Sequence, residues 1–222
     1  MKSEEEKLKH CLRELSVAHV KFTKFGEDIL NANNQTWYVV DSLAVAVINR
    51  AIQLIDGYVT LANANNYIAA IPFIRLQLDN ALRFFAIILV DNPNDFFTHF
   101  MDGKPVNNYK SHTGQNMSDN YLAKELDAVH PGVLKLYKET CDYVHLSMQH
   151  VHASKCMDKG KLTIKVTNAD NPFEVFSIEA KYNFAFNMIQ MSRLVLIVLN
   201  RWKRIKDNFP QLDRANTPTV KF

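Results

Sequence analysis

The stretch that decides the fold is residues 71–89, which read IPFIRLQLDNALRFFAIIL. Apolar residues recur here every three to four positions, which is the period of a helix with a buried face. Arg75, Asp79 and Arg83 are spaced four residues apart and therefore share one face of that helix. The stretch predicts a long helix whose apolar surface is broken by one narrow charged stripe.

The same helical period extends over most of the chain. It predicts five long helices, at about 3–31, 36–63, 66–90, 131–154 and 179–208. Ser3 and Glu6 have the spacing of a capping box, which predicts the start of the first helix. Residues 161–166 and 173–178 instead alternate apolar and polar side chains, a pattern that predicts a β-hairpin.

We therefore expect an all-α protein, built as a single helical bundle of about five long helices with a small β-hairpin insertion at about 161–178. Each apolar stripe needs neighbouring helices to cover it, and no internal repeat divides the chain. The prediction assigns residues 1–208 to one helical domain and residues 209–222 to a loose C-terminal tail.

Composition excludes several classes of protein. Of the 222 residues, 47% are apolar and 22% are charged, so the chain is not disordered overall. Three cysteines without framework spacing argue against a disulfide scaffold, and a net charge of +3 does not identify a nucleic-acid binder. The acidic N-terminus is unlike a signal peptide, and the apolar run at 194–199 is too short to span a bilayer. We expect a cytoplasmic protein with no membrane partner.

A second helix supplies polar side chains that could face the charged stripe. Tyr137, Cys141 and His145 are spaced i, i+4 and i+8, and Ser147 and His150 lie on a neighbouring face. Together they predict a polar groove formed by Arg75, Asp79, Arg83, Tyr137, Cys141, His145, Ser147 and His150. The alternative is that the charged stripe is an ion-pair ladder on a solvent face and that His145 is structural.

A zinc site is the other chemistry to weigh. His145, His152 and Cys156 are spaced seven and four residues apart, and two imidazoles with a thiolate suit zinc. A fourth ligand is not evident, so we expect neither a metal nor another cofactor.

Basic residues cluster at the end of the last predicted helix, around Trp202. The cluster consists of Arg201, Lys203, Arg204 and Lys206. Cations at a helix C-terminus complement the helix dipole, which is the favoured interpretation. A contact with phosphate groups of a nucleic acid is the alternative.

The polar motifs also carry a resemblance. Arg75 and Asp79, then Gly114 to Ser118, and then the helix from Tyr137 to Ser147 resemble an uncharacterised bacterial helical family that is often grouped with HEPN-like proteins. Its pattern is R-x3-[DE] on one helix and Y-x3-[SC]-x3-H-x-S on a later one. The resemblance covers roughly residues 40–200 and implies an all-α bundle, frequent homodimerisation and occasional links to antiviral defence or toxin–antitoxin systems. Cys141 stands where that pattern more often has Ser.

The resemblance does not by itself imply catalysis. HEPN ribonucleases carry R-x4-6-H, and Arg13 with His19 is a match of the kind that chance supplies. We therefore predict a non-catalytic HEPN-like binding or assembly module that forms a homodimer. The alternative is a metal-independent ribonuclease or nucleotide-directed enzyme that uses His145 with Arg75 or Arg83, with RNA or a nucleotide as its partner.

Overall fold

The computed structural model describes residues 3–144, 155–158, 161–164 and 176–208. This part of the chain is all-α apart from two four-residue strands. Its eight α-helices are α1 (Glu4–Ser16), α2 (Ala18–Gln35), α3 (Val39–Asn63), α4 (Tyr67–Phe85), α5 (Pro93–Met101), α6 (Asp119–Asp127), α7 (Val133–Val144) and α8 (Ile178–Asp207). Short 3-10 helices lie at Ala86–Leu89 and Val106–Asn108, and the strands are β1 (Lys155–Asp158) and β2 (Lys161–Ile164).

The first predicted helix is in fact two helices. Its start is as predicted, because the Ser3 and Glu6 side chains each accept a hydrogen bond from the other residue's backbone N–H. The helix then breaks at Val17, where the Ser16 hydroxyl donates to the Arg13 carbonyl at 2.9 Å and competes with helix continuation. The predicted polar break after residue 31 is present, since residues 33–35 have φ values of 49°, 54° and 60°.

The two strands differ from the β-hairpin predicted at 161–178. The first predicted strand, at 161–166, is present as β2, which pairs antiparallel with β1 before it. Ile178 begins α8, because the Ser177 side chain caps this helix by accepting a hydrogen bond from Ala180 N at 3.2 Å. The helix cap therefore prevails over the alternating pattern at the end of the predicted strand; residues 165–175 lie outside the described residues.

α4 is the centre of the core, packed against α3, α7 and α8. The Pro72 ring lies inside this helix, which begins at Tyr67 and not at the proline. Gly57 of α3 faces the Phe73 ring so closely that an added Cβ would be 2.6 Å from it. The largest fully buried side chains are Trp202, Tyr58, Phe22, Phe84 and Phe96.

A buried polar cluster joins the end of α8 to the start of α3 and to the second half of α2. We call Asp41, Trp202 and Lys206 the buried latch. Lys206 Nζ donates to Asp41 Oδ2 and to the Ile29 carbonyl, both at 2.8 Å, and Trp202 Nε1 donates to Asp41 Oδ1 at 2.8 Å. Both ionic side chains have 0% exposure. Lys206 is therefore not part of a basic surface, contrary to the predicted cluster at the helix end.

α8 is also the one described helix that is long and apolar enough to cross a membrane by length and composition. However, 56% of its most apolar 18-residue stretch is buried inside the protein, and the helix packs against α1 and α4. Burial of this kind is typical of the central helix of a helical bundle.

Candidate functional site

The predicted charged stripe is present on α4, and it is half-buried. The side chains of Arg75, Asp79 and Arg83 are 12%, 21% and 30% exposed. The helix that carries them begins where the Asn66 side chain accepts a hydrogen bond from Ala69 N at 3.3 Å. The stripe is thus neither an open solvent face nor a fully buried cluster, because it lies along the edge of the core.

The stripe belongs to a longer ion-pair chain, which we call the arginine ladder: Arg50, Asp79, Arg83, Asp119 and Arg75. Asp79 accepts from Arg50 at 3.3 Å and from Arg83 at 3.2 Å. Asp119 accepts from Arg83 at 2.6 Å and from Arg75 at 3.1 Å. Each carboxylate therefore lies between two guanidinium groups, and Arg75 pairs with Asp119 where the sequence suggested Asp79.

α7 contacts the ladder at Arg75, as the sequence predicts for Tyr137 and Cys141. The Arg75 guanidinium lies 4.7 Å from the centre of the Tyr137 ring. Burial alone would lower the pKa of Arg75, but hydrogen bonding to Cys141 and the charges of Asp79 and Asp119 raise that pKa above its ordinary value. For the Tyr137 hydroxyl, burial acts in the opposite direction and raises the pKa, because the neutral form is favoured. Arg75 thus stays charged while it holds α4, α6 and α7 together.

Several predicted site residues are not placed. His145, Ser147, His150 and His152 lie outside the described residues, and Cys156 is described only as a backbone position of β1. In the part of the chain that the structure describes, no group of three or more His, Cys, Asp or Glu side chains could hold a metal ion. The His145 half of the polar groove therefore stays a prediction, and the alternative of a zinc site at His145, His152 and Cys156 is untested.

Four members of the ladder line an open groove of about 780 Å³ between α3, α4 and the segment from α5 to α6. Its charged lining residues are Arg50, Asp79, Arg83, Lys104 and Asp119. Its apolar lining includes Leu43, Ala46, Val47, Phe100 and Val106. This groove is not the predicted one between the Arg75 and His145 helices, since it lies on the α3 side of α4.

Arg50 is held in place by a series of buried amides. Its Nη1 donates to Asn80 Oδ1 at 2.6 Å, and Asn80 Nδ2 donates to Gln77 Oε1 at 3.1 Å. Gln77 Nε2 then donates to Ser192 Oγ on α8 at 3.2 Å. The guanidinium is therefore fixed from one side, while the side chain remains 43% exposed in the groove.

The polar groups that line the groove are held by other groups of the protein. Among the described lining residues there is neither an imidazole nor a thiol. The hydroxyl of Ser118 caps α6 by accepting from Tyr121 N, and both carboxylates are held by two guanidinium groups each. These contacts fix the positions of both carboxylates and of the hydroxyl in the groove.

Sequence reasoning missed Arg50 and Asp119. They stand 29 and 44 positions from their partners on α4, so no local spacing connects them. The one local signal was at Asp119, an acidic residue directly after the helix-capping Ser118. Read alone, that position indicates only a favourable contact with the helix dipole.

Comparisons of the chain with family models, with curated proteins and with solved structures found no match. The HEPN-like resemblance is therefore without support from a family match. What the structure supports is an all-helical protein.

Proposed function

We propose that this chain is a non-catalytic helical binding module whose ligand occupies the groove between α3, α4 and the α5–α6 segment. The observation that carries the proposal is the groove itself, about 780 Å³ in volume with apolar walls and the pre-positioned arginine ladder. Ligand sites in proteins typically measure about 300–1,000 Å³ and combine apolar walls with a few fixed polar groups. Fixed groups favour binding because they lose little conformational entropy when a ligand arrives.

A more specific form of this proposal comes from the sequence motifs. A HEPN-like binding or assembly module that forms homodimers in the cytoplasm, with links to defence systems, is the finer form of this proposal. It rests on the polar motifs of α4 and of the Tyr137 helix. Its dimeric state is measured directly by analytical ultracentrifugation of the purified chain.

The alternative function is a metal-independent ribonuclease or nucleotide-directed enzyme that uses His145 with Arg75 or Arg83. The proximity of Arg75 to Tyr137 and Cys141 supports it, because His145 follows one turn later in the sequence. Against it, both guanidinium groups already bind Asp119. Cleavage of RNA by the wild type that is lost in a folded His145→Ala variant would favour this alternative.

Binding in the groove is tested with an uncharged fluorescent probe, N-phenyl-naphthylamine, whose emission rises in apolar surroundings. Ala46 lines the groove and is exposed on α3, so Ala46→Trp places an indole in the groove without disturbing the core. Asn49→Trp puts the same side chain on an exposed α3 position outside the groove lining and serves as the matched control.

We expect Ala46→Trp to weaken probe binding by about tenfold or more, which corresponds to about 1.4 kcal/mol. Asn49→Trp should bind the probe as the wild type does. Far-UV circular dichroism checks that both variants are folded. Equal probe affinity in the wild type and both variants would show that the groove is not a binding site.

A further inference from the structure

The charge balance of the groove restricts its ligand. Three cationic side chains line it, Arg50, Arg83 and Lys104, against the two carboxylates of Asp79 and Asp119. Outside the lining, Asp102 pairs with Lys104 and Arg75 pairs with Asp119, and the charges of Asp102 and Arg75 cancel. The lining therefore carries one net positive charge. Because charges that leave water are stabilised when they are matched, a ligand with a single negative charge complements this groove best.

Arg50 is the side chain that would bind the negatively charged group of the ligand. Among the described residues, Nη1 is the only Arg50 nitrogen that donates a hydrogen bond, to Asp79 and to Asn80, and the side chain is exposed in the groove. A guanidinium presents its N–H groups as a rigid fork that matches two oxygens of one oxyanion. Arg83 is less suited, since its Nε and Nη2 are used by Asp79 and Asp119.

The apolar part of the groove lining suits an apolar body. Leu43 and Val47 of α3 and Val106 of the following segment are buried core residues whose surfaces reach the groove, and Phe100 adds an aromatic ring. Apolar contact with these side chains would supply affinity, while Arg50 would fix orientation.

We propose that the groove binds a small organic anion with one negative charge and an apolar body, whose oxyanion is held by Arg50. This inference rests on the proposed function, because it names the ligand class of the same groove. A nucleic acid fits less well: polyanion binding requires many cations that are free to contact phosphates, and here two carboxylates already compensate most of the lining charge.

The test compares anilinonaphthalene sulfonate, which carries one sulfonate, with the uncharged N-phenyl-naphthylamine. Arg50→Gln removes the charge but keeps an amide donor for Asn80 Oδ1. We expect it to weaken binding of the sulfonate probe about tenfold or more and to leave the uncharged probe within about twofold. Arg50→Lys keeps the charge but lacks the guanidinium fork, so its affinity for the sulfonate probe should lie between those of the wild type and Arg50→Gln. It replaces Arg50→Gln if that variant does not fold.

Lys135→Met is the matched control, since Lys135 is an exposed cation on α7 outside this groove. It should bind both probes as the wild type does. If Ala46→Trp blocks both probes but the Arg50 variants bind the sulfonate probe normally, the anion proposal is wrong and the groove remains a binding site. If Ala46→Trp blocks neither probe, the proposed function itself fails. Displacement of the sulfonate probe by a single-stranded RNA oligonucleotide, with steep salt dependence, would also overturn the anion proposal.

Discussion

Lys206→Met should be one of the most destabilising single changes in this protein. The substitution keeps most of the side-chain length and removes only the ammonium group of the buried latch. The Asp41 carboxylate would then lose its cation in a site with 0% exposure, and the Ile29 carbonyl would lose its donor. A buried charge whose partner is removed retains its desolvation cost without the compensating attraction.

The size of the stability loss depends on the hydrogen bonds that Asp41 retains in the variant. Removing one partner of a buried ion pair typically costs about 3–5 kcal/mol. Asp41 still accepts hydrogen bonds from Trp202 Nε1 at 2.8 Å and from Tyr38 N at 2.9 Å, so the lower end of that range applies. We therefore expect a loss of about 3 kcal/mol. With a urea dependence of about 3 kcal/mol per molar, the unfolding midpoint should fall by about 1 M.

The assay is urea unfolding followed by far-UV circular dichroism. Lys203→Met is the matched control, because Lys203 stands on the same turn of α8 and pairs with Asp207 at 3.0 Å, with both side chains partly exposed. Its cost should stay under about 1 kcal/mol. Equal midpoint shifts for Lys206→Met and Lys203→Met would refute the reasoning, since the Lys206 ion pair is fully buried and the Lys203 ion pair is partly exposed.

Three further changes test other parts of the structure. Asp79→Asn weakens two half-buried ion pairs, so its urea midpoint should report a loss of about 1–2 kcal/mol, and a loss above 3 would place Asp79 in the core. Tyr58→Phe removes a buried hydroxyl that has no hydrogen-bond partner in the described part of the chain, so the melting temperature should stay level or rise; a clear fall would reveal a partner for that hydroxyl. Burial and then the Arg201 charge lower the pKa of His130 below its usual 6.5, so the unfolded chain binds more protons than the folded one as the pH falls below about 7. Stability should therefore drop on acidification toward pH 5, and His130→Gln should flatten that part of the profile of unfolding free energy against pH.

The fold class was predictable because helical periodicity depends on spacing along the chain. The helix boundaries were less so, since they depend on single hydrogen bonds. The Ser16 hydroxyl donates to a backbone carbonyl just before the break at Val17, and the Ser177 hydroxyl starts α8 inside a pattern that resembles a strand. Both are serines whose side chains bond to nearby backbone, which periodicity does not register.

The site was predictable only along single helices. The common face of Arg75, Asp79 and Arg83 follows from their spacing, and the structure has it. Their partners come from α3 and α6, and the choice between Asp79 and Asp119 as the partner of Arg75 depends on how helices pack. A tertiary contact of this kind leaves no trace in the local sequence.

The buried latch also sets an order on the assembly of the protein during translation. Asp41 is synthesised early, whereas its partners Trp202 and Lys206 follow 161 and 165 positions later. Until the ribosome has released the last turns of α8, the N-terminal helices carry a carboxylate that has to remain hydrated, so this end of the core cannot close. A nascent chain arrested before Trp202 should therefore be cleaved by proteases near α3, and full protection should appear only after residue 206 has left the exit tunnel.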